Sequence, residues 1–220
     1  MKKSFTRFTA LAAAAVMAFS ASACDGKNNA DSSASKVTEE QMPYGATIMM
    51  LEPETHPDVP ITVDYDKRFL TEAEGTAVSQ YVNALMTQDT ATIEKLVYKP
   101  YLDFIMQQKG AADISAYLSA MYDNIYNIVG GTFKFTYIVI NDCYEETDSA
   151  AVQNEFAQIE SNISALDNGD FVSKAASRKK VAVELIYNLD SVEGEFSLTQ
   201  RTGDDSYLYL YEVDGQIYVL

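Results

Sequence analysis

The stretch Phe133-Lys-Phe-Thr-Tyr-Ile-Val139 alternates apolar with mixed side chains, and Val181-Ala-Val-Glu-Leu-Ile-Tyr-Asn-Leu189 shows the same alternation. A period of two places successive side chains on opposite faces of a strand. Each run therefore has one mainly apolar face, which is typical of an antiparallel sheet covered on one side. In the first run, the predicted apolar face carries Phe133, Phe135, Tyr137 and Val139. The segments upstream of Thr132 are expected to supply the cover.

The rest of the C-terminal region predicts more strands, near 180–190, 195–202, 207–213 and 216–220. Asp214-Gly215 lies between the last two, and Asp-Gly between alternating strands is a strong hairpin signal. Upstream, short apolar runs at 44–51 and 61–65 predict an additional N-terminal hairpin.

Helices are predicted between these strands from capping residues and apolar periodicity. Thr71 and Glu74 have the spacing of a capping box, and Asp89 is a suitable N-cap for a second, short helix. A helix near 101–110 is expected to end at Gly110. The clearest amphipathic stripe begins after Asp113 and ends before Gly130, and another helix spans 149–166.

The N-terminus predicts export. Lys2, Lys3 and Arg7 precede an apolar run that is too short to span a membrane, as in a secretory signal peptide. The following Ala21-Ser-Ala-Cys24 resembles the lipobox of bacterial lipoproteins, in which the cysteine becomes the lipidated first residue. Ordinary signal-peptidase cleavage after Ala23 is the alternative, because Ala-x-Ala also suits that enzyme. The lipoprotein interpretation implies a location at the cell membrane, lipid-anchored and facing the extracytoplasmic side.

Composition predicts three segments. Residues 1–23 are the signal peptide, residues 24–40 are the lipidated Cys24 and a polar, flexible tether, and residues 41–220 form a single α+β domain. About 180 residues are enough to build a core without disulfides. Cys143 then has no intramolecular partner, and a small buried free thiol is its expected role.

The charge of the chain limits its partners. The signal peptide holds three of the 16 Lys and Arg and none of the 32 Asp and Glu, so 13 basic residues remain and the formal charge is −19. Such an acidic surface repels nucleic acid and anionic headgroups, so membrane contact is expected through the lipid on Cys24 alone. No nucleic-acid partner is predicted.

The order of the predicted elements resembles the NTF2-like (cystatin-like) α+β cone. This order is helix, short helix, helix, strand, helix and final antiparallel strands. The resemblance is carried by Tyr81-Val-Asn-Ala-Leu-Met-Thr-Gln-Asp89-Thr-Ala-Thr-Ile-Glu-Lys-Leu96 and by Tyr211-Glu-Val-Asp-Gly-Gln-Ile-Tyr218. It implies a curved antiparallel sheet packed against N-terminal helices, within a lipoprotein of an uncharacterised family. Members of the superfamily include isomerases and dehydratases as well as non-catalytic binding domains, so the fold alone does not select a function.

The residues themselves favour binding over catalysis. His56, the one histidine, lies in an acidic loop without the spacing of a metal site, and no phosphate-binding glycine loop or C-x-x-C pair is present, so no metal or cofactor is predicted. The polar members of the predicted apolar faces are Tyr137, Tyr187, Gln200 and Tyr209. These four are the candidate ligand-binding residues, because their polar groups can orient a ligand by hydrogen bonds but transfer protons poorly at neutral pH. The sequence therefore predicts a non-catalytic binding or interaction domain, and the alternative is a cone-pocket enzyme of the isomerase or dehydratase type acting on a small apolar substrate.

The lipid anchor is testable with one substitution. Cys24→Ala should move the protein from the detergent phase to the aqueous phase of Triton X-114, because the variant lacks the cysteine that carries the acyl chains. Stable anchoring needs two or more such chains. Unchanged partitioning of the variant would favour simple secretion.

Overall fold

The computed structural model describes residues 42–220. The predicted signal peptide, Cys24 and the tether at 24–40 lie outside the described residues. Within the described range the chain forms a mixed α+β structure, as predicted. The strands are β1 Ile48–Leu51, β2 Thr62–Asp66, β3 Phe133–Glu145, β4 Ala175–Leu189, β5 Val192–Ser197, β6 Ser206–Val213 and β7 Gln216–Val219. The helices are α1 Glu72–Thr87, α2 Thr90–Leu96, α3 Lys99–Lys109, α4 Ile114–Val129, α5 Ala150–Asp167, α6 Asp170–Lys174 and α7 Leu198–Thr202.

These strands form one curved, unclosed sheet in the order β1-β2-β3-β4-β6-β7. Strand β5 also pairs with β4, and β5 and β6 share the same edge of that long strand. The N-terminal hairpin is confirmed, with β1 antiparallel to β2. The prediction of a wholly antiparallel sheet was wrong at one pair, because β2 and β3 run parallel. Helices α1 to α4 connect these two strands, and a parallel pair requires such a crossover.

The helix boundaries follow the capping residues. Thr71 and Glu74 form the predicted capping box of α1, and the Asp89 side chain accepts hydrogen bonds from backbone amides in the first turn of α2. Gly110 and Gly130 end α3 and α4 in the left-handed conformation that glycine favours. Asn168 ends α5 in the same conformation.

Helix α1 packs on one face of the sheet, which we call the inner face. Its Val78 and Val82 join the core cluster with Phe135, Ile138 and Val183, and these five side chains are at most 3% exposed. Helices α2, α3 and α4 enclose a second cluster on the far side of α1. Packed side chains thus fill most of the inner face.

Helix α5 covers part of the opposite face, which we call the outer face. Its Phe156 packs edge-on against Tyr209 and Tyr211 of β6, whereas Leu208 and Leu210 of the same strand face the inner core. The expectation that the sheet is covered on one side was therefore wrong at this end. The stripe on α5 showed that the helix is packed, but an apolar stripe does not specify which sheet face receives it.

The polar start of β4 holds helices on both faces through three consecutive cations. Lys179 Nζ lies 2.8 Å from Glu74 Oε1 of α1 on the inner face. On the outer face, Lys180 pairs with Glu155 of α5, and Arg178 Nη1 lies 2.9 Å from Glu160 Oε1 of the same helix. The alternation of a strand sends adjacent residues to opposite faces, which makes this arrangement possible.

Removing the inner cation should destabilise the domain. In Lys179→Met, the Glu74 carboxylate, only 3% exposed, loses its cationic partner. Breaking a buried pair from one side is expected to lower the free energy of unfolding by about 2–4 kcal/mol. Urea denaturation measures the change. Lys99→Met breaks the exposed pair with Asp103 and is the control, with an expected loss below about 0.5 kcal/mol. Equal losses in the two variants would contradict the assignment.

Candidate binding surface on the open face of the sheet

A shallow groove of about 440 Å³ lies on the outer face, beyond the part that α5 covers. We call it the outer groove. It is lined by Tyr137, Val139, Glu184, Ile186, Glu195, Phe196, Ser197 and Gln200. Two of the predicted ligand-binding residues, Tyr137 and Gln200, therefore meet in one place.

Tyr137 reaches the outer groove because β3 contains a bulge. Phe135 lies opposite Tyr187 and Tyr137 opposite Ile186, so Thr136 is an extra residue without its own partner on β4. An extra residue shifts the alternation by one. Phe135 is buried on the inner face, while Tyr137 and Val139 turn outward and are half-buried. Placing these last two with the apolar face was wrong for that reason.

Gln200 reaches the groove from a helix. The segment 195–202 was predicted to be a strand, but β5 ends at Ser197 and α7 follows. The Ser197 hydroxyl accepts a hydrogen bond from the Gln200 amide at 3.1 Å and caps the helix. Ser-x-x-Gln is a capping-box pattern. This sequence signal was available and outweighs the strand propensity of the segment.

Arg201 docks α7 onto the end of α4. Its Nε donates a hydrogen bond to the Ile128 carbonyl at 2.9 Å, where a helix C-terminus offers unpaired acceptors. Between α4 and β5, a second groove of about 290 Å³ opens on the other side of the β5–α7 turn. We call it the inner groove, and it shares the Ser197–Gln200 region with the outer groove.

Tyr187 lines this inner groove. Its ring packs against Phe196 with centroids 5.7 Å apart, and the residue is only 2% exposed. The core therefore holds most of this side chain, and a ligand reaches little of it. Gln200 lines both grooves. It therefore shares the outer groove with Tyr137 and the inner groove with Tyr187.

Tyr209 lies elsewhere. Its hydroxyl donates a hydrogen bond to Glu155 Oε2 of α5 at 3.0 Å, and its ring packs on Phe156. Burial, followed by the Glu155 carboxylate, raises the pKa of Tyr209 to about 12. This residue helps to seat α5 on the sheet and does not line either groove.

The outer groove is rich in hydrogen-bond acceptors. Glu184 is half-buried and lies on the outer face, as the alternation of β4 predicts, with Asn141 Nδ2 3.5 Å from its carboxylate. Glu195 is exposed at the rim, and Asp64 lies on the adjacent strand β2. One Asp64 carboxylate oxygen is buried and accepts no hydrogen bond from the described residues. With Val139 and Ile186 as its apolar part, the groove suits a ligand that supplies donors or positive charge.

The electrostatic state of Tyr137 follows from this setting. Burial is the main cause, and the Asp64 carboxylate the second, of a Tyr137 pKa raised to about 12. The hydroxyl is therefore neutral at physiological pH, and its proton is directed at the Asp64 carboxylate. It is not a general base under those conditions.

Other polar groups have structural partners. His56 Nε2 lies 3.9 Å from Glu72, and its Nδ1 lies 2.8 Å from the Thr55 hydroxyl. Among residues 42–220, no group of three or more His, Cys, Asp and Glu is placed to hold a metal ion. Cys143 is buried and forms no disulfide within this range. Its burial agrees with the role predicted from the sequence.

Comparison with known protein families found no match for the chain, and comparisons with curated proteins and with solved structures found no similar protein. Within residues 42–220, none of the helices has the length and apolar character needed to cross a membrane.

Asp64 can be tested as the neighbour that acts on Tyr137. Asp64→Asn should lower the Tyr137 pKa from about 12 but leave it above the ordinary 10.0, because burial remains. The ring Cζ chemical shift, followed by NMR as pH rises, reports the titration. Glu195→Gln, in the same groove but absent from the causes of the shift, is the control and should change nothing. A wild-type Tyr137 that titrates near the ordinary value would contradict the proposed environment.

Proposed function

We propose that this protein is a lipid-anchored, extracytoplasmic binding domain without catalytic activity, whose ligand docks in the outer groove. The observation that carries the proposal is the contrast between the two faces of the sheet. Most of the inner face, where a cone-shaped enzyme keeps its pocket, is filled by core side chains, and only the small inner groove opens at its end near Tyr187. The outer face keeps an open groove that α5 does not cover.

The chemistry of the groove narrows the ligand class. Glu184, Glu195 and Gln200 offer acceptors, and Tyr137 offers a neutral hydroxyl. Ligands with amines, guanidinium groups or several hydroxyls supply the complementary donors. The acidic surface repels nucleic acid, and a cationic peptide segment or a cationic small molecule suits the groove best.

We also propose the NTF2-like cone as the fold family. Support comes from α1 lying against the curved sheet and from the final β6–β7 hairpin, whose Asp214 and Gly215 both have positive φ. The parallel β2–β3 pair and the seating of α5 on the outer face depart from the pattern that the resemblance implied.

The lipid on Cys24 is the proposed membrane contact, with the domain facing the extracytoplasmic side. The polar tether at 24–40 separates the lipid from the residue at which the described domain begins. The same domain with an enzymatic role is the alternative, and it requires a carboxylate within an enclosed pocket. Glu184 lines an open groove instead, which supports the binding proposal.

The groove can be tested with tetralysine as a defined cationic probe. Titrated into isotope-labelled protein, it should shift NMR signals of Tyr137 and of residues 197–200. The double variant Glu184→Gln, Glu195→Gln should weaken binding by roughly 1 kcal/mol, or about fivefold, since exposed charged hydrogen bonds each contribute modestly.

The matched control is Glu94→Gln with Asp123→Asn, which removes two exposed charges from α2 and α4. This control keeps the net charge equal to that of the groove variant. Similar weakening in the two double variants would show that the probe responds to total charge, and the outer groove would then lose its assigned role.

A further inference from the structure

Strand β1 forms an exposed edge of the sheet. It pairs with β2 on one side, and no strand of the described residues pairs with its other side. Three consecutive large apolar residues on this strand are unusually exposed: Ile48 at 46%, Met49 at 42% and Met50 at 47%. A bare apolar edge is a template for pairing with another strand.

Other edges of the same sheet are protected. At β7, the Gln216 side chain donates to the Lys95 carbonyl of α2 at 2.7 Å, which brings a helix against that edge. Strand β5 carries Glu193 and Glu195, and charges of this kind discourage edge pairing. Strand β1 has neither device between Ile48 and Leu51.

The hydrogen-bonding groups of β1 can be assigned to its two sides. The Lys67 amide donates to the Thr47 carbonyl at 3.1 Å, so the polar backbone groups of Thr47 face β2. Alternation then turns those of Met49 toward β2 as well. The N–H and C=O groups of Ile48 and Met50 point to the free edge.

We propose that a second copy of this chain pairs with β1 in antiparallel fashion, about a two-fold axis that passes beside Met49. In this register, Ile48 lies opposite Met50 of the second copy, and Met49 lies opposite its own counterpart. Two hydrogen-bonded pairs with two bonds each satisfy all four outward-facing groups of Ile48 and Met50. Each of the three exposed apolar side chains also gains an apolar neighbour across the interface.

Charge complementarity favours a second copy as the occupant. Exposed Lys67 stands beside the start of β1, and exposed Glu52 and Glu54 follow its end. Antiparallel pairing brings the start of one strand to the end of the other. Lys67 of each copy therefore approaches the acidic turn of its partner, and the two-fold axis repeats the attraction. No carboxylate of the described residues lies within ion-pair distance of Lys67.

Cysteine cross-linking tests both the pairing and its register. In a Cys24→Ala background, the buried Cys143 is the one remaining native thiol. Met49→Cys should form a disulfide-linked dimer under mild oxidation, because directly opposed residues of a non-hydrogen-bonded pair have Cα atoms about 4.5 Å apart. Met50→Cys should not, since its counterpart is a diagonal neighbour about 7–8 Å away. Cross-linking of Met50→Cys instead, of both variants or of neither would overturn the proposal, including the case in which residues 1–41 or another protein covers the edge.

Reversible association supplies an independent readout in the chain without added cysteines. Sedimentation velocity should show a weak dimer as concentration rises, because a four-residue strand offers a small interface. Ile48→Lys should weaken association by about tenfold or more. Val192→Lys, at a position that is 49% exposed on β5, is the matched control and should leave it unchanged.

Charge reversal separates this interface from a general loss of stability. Lys67→Glu alone, or Glu52→Lys with Glu54→Lys, should each weaken the dimer, and combining all three should restore it. Additive weakening in the combined variant would overturn the assigned charge contacts. A monomer at every concentration would overturn the proposal as a whole, while leaving the outer groove and its probe unaffected.

Discussion

The run Arg178-Lys179-Lys180 at the start of β4 is the constraint on which the layered structure depends. Adjacent side chains of a strand point to opposite faces, so one short run pairs with α1 on the inner side and with α5 on the outer side. A slip of one residue would turn the apolar Val181 and Val183 to the outer face and bring Glu184 to the inner face. Buried ion pairs contribute little net stability, but a carboxylate buried without a partner is strongly unfavourable. The apolar alternation after the run therefore fixes the register of β4, and within that register the three cations hold both helices.

The same geometry determines which parts of the sheet remain free. Helix α5 is held over the first half of β4 and over β6, so the outer face near β3 and β5 stays open. On the inner side, Gly75 lets α1 approach the N-terminal hairpin closely, since an added Cβ would lie 3.1 Å from the Leu51 side chain. The hairpin is thus fixed from within, and its free edge faces outward. The outer groove and the edge of β1 are both consequences of where the helices are anchored.

Local sequence rules predicted the regular elements well. Capping residues such as Thr71 and Asp89 satisfy amides that the helix leaves unpaired, and this need depends on neighbours in the sequence alone. The face of the sheet on which a side chain or a helix lies was harder to predict. The alternation around Tyr137 is uninterrupted in the sequence, so no residue type marks the position of the bulge. Likewise, the stripe on α5 is equally compatible with either face of the sheet, and its contacts with Arg178, Lys180 and Tyr209 place it on the outer face.

The candidate site is built from these irregularities, which explains why only part of it was predictable. A regular β3 would have buried Tyr137 beside Phe135, and a continuous β5 would have carried Gln200 away along the strand. The bulge at Thr136 and the cap at Ser197 instead turn the two side chains toward one groove. Bulges and helix starts interrupt backbone pairing and re-aim side chains, which regular strands do not do. Tyr187 and Tyr209 lie on regular stretches of their strands. Tyr187 is buried in the core, and Tyr209 packs against α5. Of the four residues predicted to bind a ligand, the two that line the outer groove are therefore those at which the strand pattern is interrupted.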